Sequence, residues 1–291
     1  MQEHAYVMQS RSGELIAAVD DVPVNGHHKP GKAVTASVYR AKIAGHSRVV
    51  TVSWSRDLLS HAFSVSISGA SAECRVELRP WQFWRRAGSR RVELGGGGAT
   101  VRVLWDLRRA RFGGAGVAEP RSGYFVAVEA GGEVVLVQGD MRRDALREAV
   151  PVARREHVFG RRRFAAKALR FHEHGAAHDV AIECVQGNGD VEMSIAIDGE
   201  EAVQVKHLQW KFRGNQSVTF SRAKVEVYWD VHDWLFSAGT RPALFIFRPI
   251  VLSSASAPAG TMSTMLAADA TLSSSTATGS FCLYLYAWKL D

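Results

Sequence analysis

Cysteine is scarce in this chain, and its cysteines lie far apart. Cys74, Cys184 and Cys282 are the three cysteines among 291 residues, and none has a C-x-x-C partner. An odd set of widely spaced thiols is typical of reduced, buried side chains in a cytosolic protein. It argues against a disulfide framework and against a cysteine zinc site. We therefore predict a cytoplasmic protein without a cofactor.

Long hydrophobic runs and signature motifs of catalysis are also missing. No apolar stretch is long enough to span a bilayer, and the first residues, MQEHAYVMQSRSGELIAAV, lack the continuous apolar core of a secretory signal. No serine or cysteine occupies a G-x-S-x-G nucleophile turn. The sequence thus predicts no transmembrane segment and identifies no reaction.

The charge that the chain carries is basic. Its formal net charge is +7 with neutral histidine, and several arginines come in pairs. Net charge alone gives a weak, non-specific attraction to anionic partners. We interpret Arg154, Arg155 and residues 161–163 as a solvated connector with acidic neighbours such as Glu156. Binding of nucleic acid or anionic lipid is the alternative, but no nucleic-acid-binding motif accompanies these arginines, so there is no specific nucleic-acid signal.

Apolar residues occur instead in short alternating runs, which favour strands over helices. Residues 224–231, KVEVYWDV, place Val225, Val227 and Trp229 on one face. Residues 100–107, TVRVLWDL, repeat the pattern. Such runs recur along the chain and predict an all-β fold.

The similarity of these two strands extends to their neighbours. An offset of 130 carries Phe63–Gly69 onto Met193–Gly199 without a gap, and an offset of 126 carries Gly88 onto Gly214. We predict a duplicated antiparallel unit of about eight strands, with chance similarity between alternating strands as the alternative. Two packed sandwiches, two up-and-down barrels and one continuous large sandwich all satisfy this pattern.

Composition divides the chain into consecutive parts. In order, we predict a flexible N-terminal arm at 1–32, a first β unit at 33–139, a helical and basic connector at 140–161, and a second β unit at 162–291 with a Ser/Thr/Ala-rich loop at 252–279. Asp140 can cap the one short helix between the copies, and Pro151 stops it. The apolar end 281–290 is predicted to return to the sheet as a last strand.

Several short motifs together resemble a known plant family. They are VTVSWSRDLLSH, RPWQFWRRAGS, VRVLWDLRRARF, GYFVAVEAGGEVVLVQGD, RREHVFG, QWKFRGNQSV, VEVYWDVHDWLF and the terminal LYAWKL. In combination, from about residue 34 to the C-terminus, they are similar to the family catalogued as domain of unknown function 868. The resemblance implies a plant protein of no established activity and supplies no catalytic residues.

Three histidines form the densest set of candidate metal ligands. His172 and His174 are two positions apart, so a strand would place both on one face, with His178 across the turn. The spacing and supporting partners usual for a metal site are missing. We interpret the three as polar residues of a hairpin tip and predict no metal.

An aspartate and a histidine near the second repeated strand suggest a base. Asp230 and His232 place a carboxylate beside an imidazole, an arrangement that orients general bases. In the first copy, however, Asp106 is followed by Leu107 and Arg108. We therefore interpret Asp106 and Asp230 as carboxylates that end their strands and bond to turn amides, and we predict no catalytic residue.

Tryptophans beside basic residues give the candidate contact surface. Trp54, Trp105 and Trp229 lie on alternating apolar faces and are predicted to be core. The predicted contact residues, which combine an indole with neighbouring cations, are Trp81, Trp84, Arg85, Arg86, Trp210, Lys211 and Arg213.

Three functions are compatible with this sequence. The first is a non-enzymatic binding or scaffold protein that acts through a protein partner. The second is a β-barrel that binds a small apolar ligand in a cavity lined by Phe63, Val65, Met193 and Ile195. The third is an enzyme with an unrecognised site. The interior of the fold discriminates among them.

Overall fold

Nineteen strands make up 69% of the chain that the structure describes. The structure is a computed structural model, and it describes residues 33–57, 60–79, 81–95, 99–114, 117–141, 149–171, 175–187, 189–220, 223–237, 241–250 and 281–290. The strands are β1 (Ala33–Ile43), β2 (His46–Arg56), β3 (His61–Ile67), β4 (Cys74–Leu78), β5 (Ala87–Glu93), β6 (Thr100–Asp106), β7 (Arg111–Phe112), β8 (Pro120–Ser122), β9 (Phe125–Ala130), β10 (Glu133–Gly139), β11 (Val150–Gly160), β12 (Arg163–Arg170), β13 (Ala177–Gln186), β14 (Val191–Ile197), β15 (Glu200–Val205), β16 (Arg213–Phe220), β17 (Ala223–Asp230), β18 (Ala243–Pro249) and β19 (Cys282–Lys289). A 3₁₀ turn, Phe83–Arg86, precedes β5, and a short helix, α1 (His232–Phe236), follows β17.

Alternation of side chains explains why these segments are strands. In β3, Phe63, Val65 and Ile67 are buried, while Ser64 and Ser66 between them are half-buried. A period of two places each apolar set on one side of a sheet, where it is removed from water. The all-β prediction is confirmed.

A nine-stranded sheet joins the two halves of the sequence. Its strand order is β16-β17-β18-β19-β11-β1-β2-β3-β4. Neighbouring strands are antiparallel except β11 and β19, which run parallel from the pair Ala153 and Cys282 to the pair Gly160 and Lys289. Two four-stranded sheets, in the orders β10-β9-β6-β5 and β12-β13-β14-β15, accompany it.

Two apolar cores lie on the same face of the nine-stranded sheet. Trp54, Thr35, Glu156 and Leu285 are successive register partners across β2, β1, β11 and β19, so their side chains share a face. Trp54 belongs to the core formed with β5, β6, β9 and β10, and Leu285 belongs to the core formed with β12 to β15.

Direct ring contacts tie each four-stranded sheet to the nine-stranded one. Phe63 of β3 meets Trp105 of β6 edge-on, with ring centroids 5.7 Å apart. Phe171, after β12, packs on Phe247 of β18 at 5.4 Å. Trp105 and Trp229 are buried, as the alternating pattern predicted.

The barrel alternative is wrong for the described part of the chain. The nine-stranded sheet ends at β16 and β4, which do not pair with each other, and the other sheets there are open as well. Phe63 and Val65 are buried in the first core, and Met193 and Ile195 in the second. The predicted ligand cavity lined by all four is therefore wrong, because each pair fills a separate core.

The segment predicted as a connector contains a central strand. Residues 150–160 form β11, which pairs with β1 on one side and β19 on the other. Charged residues on both of its faces conceal the strand pattern in the sequence. The predicted arm at 1–32, the loop at 252–279 and most of the helix at 140–149 lie outside the described residues. The predicted terminal strand is confirmed as β19, which pairs with β18 as β10 pairs with β9.

Candidate functional site

A buried tryptophan holds the turn between β4 and β5. Trp105 lies on β6, and its indole Nε1 donates a hydrogen bond to the carbonyl of Arg85 at 2.9 Å. The amide of Leu107 donates to the carbonyl of Arg86 at 2.6 Å. Because the backbone at residues 85 and 86 is fixed in this way, Trp84 before it points outward and is 71% exposed.

The turn between β15 and β16 is built in the same way. Trp229 of β17 donates from its Nε1 to the carbonyl of Lys211 at 3.0 Å. The amide of Val231 donates to the carbonyl of Phe212 at 2.9 Å. Trp210, which directly precedes Lys211, is 81% exposed.

A glycine lies under each of these buried indoles. Gly88 faces Trp105 and Gly214 faces Trp229 as directly paired residues of adjacent strands. A Cβ atom added at residue 88 would lie 2.9 Å from Cζ2 of Trp105, and one added at residue 214 would overlap Cζ2 of Trp229. The glycines therefore permit the indole to reach the turn carbonyl.

The aspartates that end β6 and β17 close the next turn. A side-chain oxygen of Asp106 accepts the amide of Arg108 at 3.0 Å, and one of Asp230 accepts the amide of His232 at 3.1 Å. The Arg108 guanidinium, through its hydrogen bonds, holds the pKa of the Asp106 carboxyl below its usual value. The ring of His232 contacts Asp233 at 3.1 Å. The carboxylates of Asp106 and Asp230 thus accept hydrogen bonds from turn amides, as the sequence predicted.

The predicted contact residues lie in two separate places. We define the first corner as Trp81, Trp84, Arg85 and Arg86, and the second corner as Trp210, Lys211 and Arg213. The first follows β4 and the second leads into β16, the two opposite edges of the nine-stranded sheet. With strands about 4.8 Å apart, the edges are separated by roughly 38 Å along the sheet. The structure therefore brings together the residues within each corner but not the two corners.

Each corner combines an exposed indole with an exposed cation. Trp81 is exposed and lies 5.9 Å from the guanidinium of Arg79. Arg85 and Lys211 are exposed, while Arg213 pairs with Asp230 at 2.8 Å. Tryptophan and arginine are the residues most enriched among those that dominate binding energy at protein interfaces.

The histidine cluster is only partly described. His172 and His174 lie outside the described residues. The Nδ1 atom of His178 lies 2.7 Å from a carboxylate oxygen of Asp198, and the ring stacks on Phe171. Within the part of the chain that the structure describes, no three His, Cys, Asp or Glu side chains converge on a point where a metal would bind.

A polar network lies between the two cores, and the sequence did not predict it. A carboxylate oxygen of Glu119 accepts hydrogen bonds from Tyr124 at 2.7 Å and Gln138 at 2.9 Å, and the other pairs with Arg154 at 2.8 Å. Arg154 also donates to Glu156 at 2.7 Å. Several donors satisfy each carboxylate, so the network joins the two halves and is poorly suited to proton transfer.

This network borders a cleft of about 270 Å³ beside β1, β10 and β11. Ser37, Gln138 and Arg154 are among its lining residues. One sequence signal was available, because Arg154 and Glu156 are two apart and a strand places them on one face. Nothing in the loop around Glu119 indicated that its side chain reaches Gln138 and Arg154.

We expect Tyr124→Phe to change how stability depends on pH. Burial and the carboxylate of Glu119 raise the pKa of the Tyr124 phenol far above its usual value. Above about pH 10 the phenol ionises in the unfolded chain but not in the folded chain. This ionisation lowers the free energy of unfolding by up to about 1.4 kcal/mol per pH unit. The variant lacks that loss.

Urea unfolding at pH 7, 9 and 11 measures this effect. At pH 7 the variant should be less stable by about 1 kcal/mol because one hydrogen bond is lost. The difference in the free energy of unfolding between the parent protein and the variant should shrink between pH 9 and 11. A difference that stays constant with pH would contradict the assignment.

No helix in the described ranges is long and apolar enough to cross a membrane.

Comparison with protein-family models gives a match over most of the chain. A family model described as "Plant protein of unknown function (DUF868)" matches residues 30–289. No curated protein and no solved structure matches the chain.

Proposed function

Since the chain belongs to this family of plant proteins of unknown function, whose description gives no activity, we propose from its geometry that it is a non-enzymatic binding protein that engages a protein partner through its two tryptophan corners. The observation that carries this proposal is the exposure of Trp84 and Trp210, at 71% and 81%. Exposed indoles held on a fixed backbone lose little conformational entropy when a partner covers them.

We also propose that the chain contains two copies of a unit of eight strands. Each copy forms a sandwich, and the two sandwiches share the nine-stranded sheet. Strands β5-β6-β9-β10 and β16-β17-β18-β19 have the same neighbour order, as do β1 to β4 and β12 to β15. The hydrogen bonds from Trp105 and Trp229 and the glycines beneath them support this duplication. Two equivalent corners on one molecule are what a scaffold with two sites requires.

The partner surface is acidic around an apolar pocket. Arg85 and Lys211 present cations next to the indoles, so a complementary surface supplies carboxylates at the rim and an apolar recess for the ring. We place this interaction in the cytoplasm, because three widely spaced cysteines without a C-x-x-C pair are typical of a protein in a reducing compartment.

Quantitative affinity purification from plant cells tests the proposal. The tagged chain, the Trp84→Ala/Trp210→Ala double variant and a Val185→Ala control would be compared by mass spectrometry. Val185 is also an exposed apolar residue, but it lies on β13, outside both corners.

We expect the control to recover the same partner as the parent protein. The double variant should lose at least about tenfold of it, since removal of an anchoring indole typically weakens binding by about 2 kcal/mol or more. A partner set that the double variant retains in full would exclude the corners as the binding surface.

A further inference from the structure

A cleft separates the two four-stranded sheets above the centre of the nine-stranded sheet. β10 is an edge strand of one four-stranded sheet, and β12 is an edge strand of the other. Both strands line the cleft of about 270 Å³, together with β1 and β11. This volume lies near the lower limit for ligand pockets, so the cleft has room for a small molecule but not for a strand of a partner protein.

One side of the cleft is polar, and its groups are held in place. The side chain of Gln138, a residue that is 6% exposed, donates hydrogen bonds to Ser37 at 3.3 Å and to Glu119 at 2.9 Å. Its oxygen accepts a hydrogen bond from the indole of Trp54 at 3.2 Å. The hydroxyl of Ser37, which lines the cleft, accepts one of these hydrogens and has its own hydrogen to donate to a ligand.

Arg154 adds a hydrogen-bond donor of fixed orientation. Its Nε atom donates to Glu156 at 2.7 Å, and its Nη1 atom pairs with Glu119 at 2.8 Å. These two contacts fix the plane of the guanidinium, and Nη2 is the third nitrogen of that plane. The side chain keeps 26% of its surface exposed, and of these three described residues only Arg154 lines the cleft. The cleft is therefore lined here by a donor and not by a carboxylate.

Arg170 places an exposed cation at the mouth of the cleft. It is the last residue of β12, and among the residues that the structure describes no carboxylate pairs with it. Arg154 and Arg170 are the charged residues that line the cleft. Because two carboxylates offset the charge of Arg154, Arg170 is the charge that attracts an anionic ligand.

The opposing walls of the cleft are apolar. Leu136 of β10, Pro151 of β11 and Phe281, which precedes β19, line it. Leu136 is buried, while Pro151 and Phe281 are half-buried. A ring placed against the two half-buried side chains removes their apolar surface from water. The cation and the apolar walls together match an anion with an apolar ring better than a fully polar anion.

We propose that this cleft binds a small carboxylic acid with a single ring. The carboxylate pairs with Arg170, and the ring lies against Pro151 and Phe281. An oxygen substituent on the ring accepts hydrogen bonds from Ser37 and Arg154. The site lies at the centre of the nine-stranded sheet, whereas the two corners lie at its edges, so it does not depend on the proposed protein partner.

The probe para-hydroxybenzoate combines a carboxylate, one ring and an oxygen substituent. Its relatives remove these features singly, because para-hydroxybenzamide lacks the charge, benzoate lacks the hydroxyl group and inorganic phosphate lacks the ring. Ligand-observed NMR titration and thermal unfolding of the full chain measure their binding.

The parent protein would be compared with Arg170→Met, Ser37→Ala and the control Arg163→Met. Arg163 is an exposed arginine at the other end of β12, outside the cleft. Its Nε atom lies 3.1 Å from a carboxylate oxygen of Glu183. The control therefore removes the same positive charge from the same strand without changing the site.

The parent and the Arg163→Met control should bind para-hydroxybenzoate saturably, and their unfolding temperatures should rise. Arg170→Met should weaken binding at least about tenfold, because the carboxylate loses its charged partner, and the amide should bind the parent as weakly. Ser37→Ala should reduce the preference for para-hydroxybenzoate over benzoate from about fivefold towards none. Without ligand, Arg170→Met should unfold at the parent temperature, because Arg170 is exposed.

Three results would overturn the proposal. The first is a parent protein that responds to neither para-hydroxybenzoate nor benzoate at concentrations up to about 10 mM. The second is binding that Arg170→Met leaves unchanged, and the third is a preference for phosphate over both ring acids. Binding of the probe to the Trp84→Ala/Trp210→Ala variant should equal that of the parent, so either proposal can fail without the other.

Discussion

Gly214→Ala should destabilise the protein by about 3 kcal/mol, the upper part of the range for overpacking a filled interior. The added methyl group overlaps the indole of Trp229. That ring has little freedom to move away, because it is buried and its Nε1 is bonded to the carbonyl of Lys211. Either the hydrogen bond breaks or β16 shifts relative to β17.

The matched variants make this result specific. Gly88→Ala places its methyl group 2.9 Å from Trp105, a less severe contact, and should cost about 1–2 kcal/mol. Gly114→Ala is the control, since nothing lies within 4 Å of its added Cβ atom. Urea unfolding of the three variants measures the differences. Equal stabilities at residues 114 and 214 would contradict the described packing of the second corner.

Glu119→Gln should destabilise the protein by about 2–3 kcal/mol, because it removes the charge from a largely buried network. Arg154 loses one of its two carboxylates, and the new amide group turns two hydrogens towards existing donors. Tyr124 and Gln138 share one oxygen of Glu119 and Arg154 uses the other, so in the variant all three donors compete for the single remaining oxygen.

An exposed ion pair provides the comparison for this variant. Glu183 pairs with Arg163 at 3.1 Å in the exposed part of the second half. Glu183→Gln should change the free energy of unfolding by less than about 0.5 kcal/mol, as surface pairs usually do. If both glutamine variants unfold at the same urea concentration, the network does not join the two halves as described.

The sequence predicted the features that depend on local periodicity. Alternation located most of the strands, though not β11, and it assigned Trp105 and Trp229 to the core, where both are buried. Trp84 and Trp210 were selected for a different reason, the basic residues beside them, and the structure explains their exposure by the backbone bonds of the next residues.

The remaining features depend on contacts between distant segments. Periodicity shows that a segment is a strand but not which strand lies beside it, so the parallel pairing of β11 with β19 was not predictable. The charges of Arg154, Arg155 and Glu156 indicate solvent exposure when only neighbours in the sequence are considered. In the fold, Arg154 pairs with Glu156 and with Glu119, and Arg155 is buried on the opposite face of the sheet.

The separation of the two corners also follows from topology alone. The offset between Trp84 and Trp210 predicts that the two residues take equivalent positions in a duplicated unit, but it gives no distance between them. Only the order of strands in the nine-stranded sheet shows that β4 and β16 are its opposite edges.

The most direct test of the binding proposal is the affinity of the purified partner for the parent chain and for the Trp84→Ala and Trp210→Ala single variants. The partner is the protein that the parent and the Val185→Ala control recover and the double variant loses. Isothermal titration should show two sites on the parent, one site on each single variant, and no binding to the double variant. Unchanged affinity and stoichiometry in all of the variants would show that the exposed tryptophans do not form the binding surface.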